Sequence, residues 1–357
     1  MSNHIGFTPT KRESVYHLFP YWYIACRSDE LQKKPKQIQL WNTKLVLFRD
    51  SHQRAYALLD RCPHRNVPLS LGRVQKNNLE CHYHGWQFNH LGECTKVPAS
   101  IKGENHSRRV PSFPVVEKQG YVWVYTDPDS EPNHLPYTFA YMDDPNYVSI
   151  RFEYEFDATI FSVAENILDV PHTSFLHGGL FRSGTQNIIN WQVKRYPDRV
   201  ECEYKDEPRP SGLFGRLLSP SGGTVQHFDR FILPNIAQVD YGMGETGKIM
   251  TTSSLSPVRD HQTKMYTVAT IRKSRLFGIF RPLLEPVVLK IIKQDAVVLQ
   301  AQSANQREFQ GEEYTFHSTD VLGPSISRLM REASKEARIL YDSNYSVAQE
   351  FSGKIRT

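Results

Sequence analysis

The chain has 357 residues, 39% of them hydrophobic and 23% charged, with a formal net charge of +5. That length accommodates two ordinary domains, and the composition excludes a disordered or largely membrane-embedded chain. The small net charge gives no electrostatic footprint for nucleic acid.

Residues 16–26, dense in Tyr, Phe and Trp, read as the entry into a strand. Leu45–Phe48 and Ala55–Leu59 follow as strand-like runs, separated by Asp50-Ser51-His52, and the second leads straight into Cys62. Two short arms come next: Cys62-Pro63-His64 and, after sixteen residues, Cys81-His82-Tyr83-His84. Gln87-Phe88 then reaches a turn at Asn89-His90-Leu91-Gly92. Tyr121–Tyr125 is the strongest strand signal, β-branched and aromatic throughout. Short strands broken by Gly and Pro predict a small antiparallel β domain that carries both arms on loops. Pro, Asp and Asn dominate Asp127–Pro132 and Asp143–Asn146, as at a domain boundary. The expected division is a first domain over residues 1–128, a linker over 129–147 and a second domain over 148–357.

Each arm supplies one thiolate and one imidazole. A [2Fe-2S] centre of the Rieske kind needs that set, with Cys62 and Cys81 on one iron and His64 and His84 on the other. Zinc accepts the same ligand types. Zinc fingers, however, place both Cys in one arm and both His in the other, whereas here each arm is mixed.

In the second half, Arg151–Phe156 alternates like a strand. In the segment 159–177, Phe161, Glu165, Asp169 and His172 fall at the spacing of one helical face, and Pro171 restarts a helix. Gly178-Gly179 suits a helix stop. Residues 190–272 read as mostly β, with turns at 208–212, 219–223 and 241–247, and residues 285–305 as helix. On that helix an apolar face runs Val288, Ile291/Ile292, then Asp295, then Val298/Leu299. Asp295 thus falls where a hydrophobic residue is due, and a buried carboxylate is costly unless paired or metal-bound. With His172 and His177 it makes a two-His, one-carboxylate set, the facial triad of mononuclear iron(II) sites. Asp157 and Asp240 are the substitute carboxylates.

The arms, down to Pro63-His64-Arg65 and His84-Gly85-Trp86, together with Asp169-x-x-His172-x4-His177, resemble the Rieske non-haem iron oxygenases over nearly the whole chain. Respiratory Rieske proteins are less similar, since Val67 and Tyr83 stand where their extra cysteines would be. The resemblance implies an α+β chain: an antiparallel β Rieske domain, then a helix-grip catalytic domain. It implies a [2Fe-2S] cluster, a mononuclear Fe(II), O2 as co-substrate, and electrons from NAD(P)H through a separate reductase or ferredoxin. It also implies a homotrimer, in which Asp169 bridges an iron histidine to a cluster histidine of the neighbouring subunit; a helix cap is the plainer role for Asp169. Asn166 and Asp169 join the catalytic set on the same resemblance. Only Ile167-Leu168 separates Glu165-Asn166 from Asp169, which resembles monooxygenases and oxidative demethylases more than ring dihydroxylases. The expected substrate is a small apolar ring compound: an aromatic, a sterol or an alkaloid.

Alternatives stand beside this reading: a cis-dihydroxylating dioxygenase, an electron carrier with an inactive second domain, and an enzyme docked on a membrane surface. The run 279–292 is broken by Arg281, Pro282, Glu285, Pro286 and Lys290, so no transmembrane segment is expected. Met1–Thr10 lacks the apolar core of a secretory signal. Five cysteines, two of them committed to iron, fit a reducing cytoplasm. Lys33, Lys34 and Lys36, and the pair Arg108-Arg109, read as solvated loops or as a docking patch for an acidic redox partner. The reduced protein is expected to give the EPR signal of a His-ligated [2Fe-2S] centre, and His64→Ala or His84→Ala to abolish it. A colourless, zinc-containing protein would refute the assignment.

Overall fold

A computed structural model of the chain describes residues 16–101, 108–177, 188–208, 224–243, 247–273, 277–312, 314–335 and 346–356. The expected stop at Gly178-Gly179, the turns near 209–212 and 219–223, and the first ten residues lie outside these. The chain forms two compact units: one comprises Leu18–Pro145 with Ser254–Arg259, the other the remainder.

The first unit is built from short antiparallel strands. They are β1 (Trp22–Arg27), β2 (Lys36–Leu40), β3 (Thr43–Arg49), β4 (Ala55–Leu59), β5 (Arg73–Gln75), β6 (Asn78–Glu80), β7 (Gln87–Phe88), β8 (Cys94–Lys96), β9 (Ser112–Phe113), β10 (Val115–Lys118) and β11 (Tyr121–Tyr125). They pair as β1-β11-β10, β2-β3-β4-β9 and β5-β6-β7-β8. All five side chains of β11 are buried, which is why its sequence carries no alternation. The stretch expected as a linker packs onto this unit: Phe139 is buried against Tyr121 and Trp123, and Asp129 pairs with Arg109 at 2.8 Å.

The second unit holds an eight-stranded antiparallel sheet in the order β12-β18-β17-β16-β15-β14-β13-β19. Its strands are β12 (Tyr147–Phe156), β13 (Ile188–Arg195), β14 (Arg199–Pro208), β15 (Thr224–Ile232), β16 (Ile236–Met243), β17 (Gly247–Arg259, whose end from Ser254 is counted with the first unit), β18 (Gln262–Arg272) and β19 (Gln349–Arg356). The helices are α1 (Ile160–Leu168), α2 (His172–Leu176), α3 (Phe277–Glu308) and α4 (Gly323–Ala333). Among the described residues no helix is long and apolar enough to cross a membrane. The mixed α+β architecture is the expected one.

β15 alternates as a half-buried strand should, but its inward positions are Val225, His227, Asp229 and Phe231. His227 lies between two carboxylates, with Nδ1 2.7 Å from Glu207 and Nε2 2.9 Å from Asp229. Its ring is stacked between Tyr204 and Tyr241, at centroid distances of 4.6 and 4.2 Å. Burial opposes its charge, but Asp229 and Glu207 outweigh burial and push its pKa up to about 9. The unfolded value is about 6.5. The stabilisation is therefore complete below that value and is lost as pH rises through the folded one. His227→Leu is expected to cost about 3–5 kcal/mol, because two carboxylates stay buried without their cation. In urea unfolding, the wild-type midpoint should fall between pH of about 6 and about 9.5, and this fall should be weakened in the variant.

Candidate metal centres

The two arms of the first unit are closed by the same backbone pattern. In the first, Cys62 N–H donates to Val67 O at 2.9 Å and Asn66 N–H to Cys62 O at 2.8 Å. In the second, Cys81 N–H donates to Trp86 O at 2.8 Å and Gly85 N–H to Cys81 O at 3.0 Å. Each turn needs a left-handed residue, supplied by Asn66 (φ 61°) and Gly85 (φ 69°). A Cβ on Gly85 would also meet Pro98 at 3.0 Å. Just ahead of the first arm, buried Asp60 accepts from the backbone N–H and the hydroxyl of Ser70, each at 2.7 Å, and from Gln37.

These turns carry Cys62 and Cys81 into the core beside Val46, Phe48, Leu79 and Phe88. They also bring the rings of His64 and His84 to a centroid distance of 4.6 Å. Trp86 stacks on His64 at 4.8 Å, and His84 is exposed. Burial pushes the Cys62 thiol up to about 11, so a thiolate there needs a bound cation in place of the proton. His64 Nδ1 is buried without a hydrogen-bond partner. Two adjacent buried sulfurs and an orphaned imidazole nitrogen are what an iron–sulfur cluster would complete, so the residues fit the group.

In the second unit the expected helical stripe through Phe161, Glu165, Asp169 and His172 is not a single face. α1 stops at Leu168, and Asp169 is extended (φ −89°, ψ 111°). Pro171 then precedes the short α2. The proline excludes a continuous helix, since its ring would clash with the preceding turn. The break lets Asp169 fold back on the next turn: its Oδ2 accepts from the His172 backbone N–H at 3.1 Å and lies 3.3 Å from His172 Nδ1. Asp169 thus caps α2 and orients the imidazole together. His177 closes α2 and is 2% exposed.

Among the described side chains of α3 the buried positions are Ile292, Asp295, Leu299, Ser303 and Gln306. Val298 is 47% exposed, so the expected apolar face is narrower than its sequence suggests. Asp295 Oδ1 lies 3.0 Å from His177 Nε2 and 3.7 Å from His172 Nε2. Ligand atoms of the three residues fall within 4.8 Å of one another. Neither imidazole aims an N–H along the line to Oδ1, which is buried without a hydrogen-bond partner. Two imidazoles and a carboxylate with ligand atoms this close make a donor set that fits a divalent metal ion. Burial raises the Asp295 pKa, against the attraction of His177 and His172 and the polar side chains of Asn166 and His177 beside it. Burial also opposes charge on His172, but Asp169 and Asp295 raise its pKa overall. Glu165 is pushed up to about 7 by burial, with Asp169 and Asp320 adding to the effect.

The substitute carboxylates lie apart from this cluster: Asp157 accepts from Gln300 at 3.1 Å, and Asp240 faces Arg230 and Lys248. One neighbour escaped the sequence reading. Gln294 Oε1 lies 3.0 Å from His177 Nδ1. A glutamine between Lys293 and Asp295 carries no periodic or motif signal of its own.

Residues 21–114 match the Rieske [2Fe-2S] domain, and residues 156–336 match the vanillate O-demethylase oxygenase C-terminal domain. The oxygenase component of dicamba O-demethylase from Stenotrophomonas maltophilia is 34% identical over 297 residues, covering 78% of this chain and 86% of that one. Methylxanthine N1-demethylase NdmA from Pseudomonas putida is also 34% identical, over 47% of this chain and 49% of its own length. The crystal structure of dicamba monooxygenase bound to dicamba shares the fold, with a TM-score of 0.75 at 24% identity over 89% of this chain and 98% of that one. With both domains matched in order and one relative aligned along most of its length, the chain belongs to the Rieske non-haem iron oxygenases, as an oxygenase component in which a [2Fe-2S] domain precedes a mononuclear iron domain.

Proposed function

We propose that this chain is the terminal oxygenase of a short electron-transfer system and that it hydroxylates or oxidatively demethylates a small, apolar, ring-containing substrate. NAD(P)H supplies the electrons through a separate reductase or ferredoxin. The observation that carries this reading is the meeting of His172, His177 and Asp295 around a buried carboxylate oxygen, in a chain whose first unit holds two Cys/His arms. We assign Cys62, His64, Cys81 and His84 to the cluster, and His172, His177 and Asp295 to the iron. Bound there, these groups supply one-electron transfer and O2 activation.

The chain's own residues position and shield. Cys62 and Cys81 keep the sulfur side of the cluster in the core, while His84 lies at the surface where electrons must pass. Asp169 fixes His172 so that Nε2 faces Asp295. The Asn166 side chain hydrogen-bonds Asp295 and holds its carboxylate in register. Both relatives are named demethylases, which favours that chemistry over ring cis-dihydroxylation. We assign a homotrimer in which Asp169 also meets a cluster histidine of the next subunit; its side chain is 22% exposed and so within reach. All five cysteines are buried thiols outside any disulfide, which supports a place in the cytoplasm.

His177→Ala and Asp295→Ala are each expected to lose the mononuclear iron and product formation while the visible spectrum of the cluster persists. Full activity of Asp295→Ala would place the third ligand elsewhere. Asp169→Asn keeps the size of the side chain but removes a charge-assisted bond, roughly twice as strong as a neutral one. It should retain both metals and the trimer yet slow turnover about 10–100-fold. Single-turnover kinetics on pre-reduced protein would show this as slow cluster reoxidation; reoxidation at the wild-type rate would leave Asp169 as a helix cap only.

A further inference from the structure

We propose that Gln294 fixes the proton of His177 on Nδ1 and thereby sets how tightly the mononuclear site holds its metal; this rests on the assignment of His177 and Asp295 as ligands. Consecutive residues on a helix do not normally serve one partner, because their side chains leave in different directions. Gln294 and Asp295 are consecutive on α3, yet both reach the same imidazole from opposite sides. Gln294 Oε1 lies 3.0 Å from Nδ1, and Asp295 Oδ1 lies 3.0 Å from Nε2.

A neutral imidazole has one N–H. The amide carbonyl of Gln294 accepts it at Nδ1, which leaves Nε2 unprotonated on the side of the ring nearer Asp295. Were the proton on Nε2, it would compete with the metal for that nitrogen. Gln294 therefore keeps the ligand atom open before any metal arrives, and polarises the ring toward greater basicity once it has.

The two histidines are supported unequally. His172 Nδ1 faces a carboxylate, Asp169, at 3.3 Å, whereas His177 Nδ1 faces a neutral amide at 3.0 Å. The His172 acceptor comes from the segment that precedes α2. The His177 acceptor comes from α3, the helix that supplies Asp295. Any movement of α3 therefore shifts the third ligand and the tautomer of the second together. The position of Gln294 makes it a positioning residue, acting through His177.

The test is Co(II) titration of protein depleted of its mononuclear iron but retaining the cluster, in wild type, Gln294→Met, Gln294→Glu and His177→Ala, with the thermal midpoint of each metal-free protein measured in parallel. Gln294→Met should weaken Co(II) binding about 10–100-fold, with a smaller relative effect on the metal-free midpoint. Gln294→Glu, which retains an acceptor and adds charge, should bind at least as tightly as wild type and shift the Co(II) absorption bands. If Gln294→Met does not fold, Gln294→Asn, one methylene too short, takes its place. Wild-type affinity in Gln294→Met or Gln294→Asn overturns the inference and leaves the ligand assignment standing, as does a loss of metal-free stability with no change in affinity. Wild-type affinity in His177→Ala, or no Co(II) binding by the wild type, overturns the ligand assignment itself.

Discussion

The catalytic unit is arranged around a close approach of polar groups that a cation bound between them would stabilise. A carboxylate oxygen of Asp295 and the Nε2 atom of His177 stand 3.0 Å apart in a largely buried site. Left to relax, such a pair would separate or take up a proton. A hydroxyl and carboxyl network resists that movement. Thr159 at the start of α1 lies 3.1 Å from Glu312, and Ser162 lies 3.2 Å from Tyr314, which accepts from Gln306 at 2.8 Å. Asn166 is carried by α1 and Asp295 by α3, so the ties between α1 and the end of α3 hold the spacing across the site. Burial pushes Glu312 up to about 7, against hydrogen bonds from Thr159 and Tyr314.

The cluster unit solves a similar problem by different means. Its ligands sit on two turns of equivalent backbone geometry, each closed by hydrogen bonds on the cysteine's own N–H and C=O and each passing through one left-handed residue. The cysteines belong to the core of the unit, so the arms are anchored by packing from below and pinned by hydrogen bonds along their length. The imidazoles project the other way. The sulfurs are therefore shielded, and of the two imidazoles His84 is the exposed one.

Asp169 connects local structure to chemistry. Its carboxylate caps α2 and holds His172 because Pro171 ends one helix and begins another. A continuous helix would have pointed Asp169 along α1. The same break brings Asp169, Glu165 and Asp320 to one cleft, where mutual repulsion and burial keep Glu165 well above the usual carboxylate range.

The sequence by itself determined the candidate donor residues and their order. Cys/His arms of fixed spacing, a His pair behind Asp-x-x, and an acidic residue on an apolar helix face are local patterns, and each survives in the fold. Strands with strong local signals, such as Tyr121–Tyr125 and Ala55–Leu59, have the bounds their composition suggests. Only the tertiary structure decided what meets what. The stretch after Thr126 reads as a linker from its Pro and Asp content, but Phe139 is buried, because composition records turns and not the surface they pack on. His227 and Asp229 occupy inward positions of β15 that a hydrophobicity pattern assigns to apolar residues; they are tolerated there because both ring nitrogens of His227 have carboxylate partners, one of them Glu207 from another strand. Gln294 reaches His177 across 117 residues of chain. Periodicity describes one element at a time, so a partner supplied by a distant element leaves no trace in either segment alone.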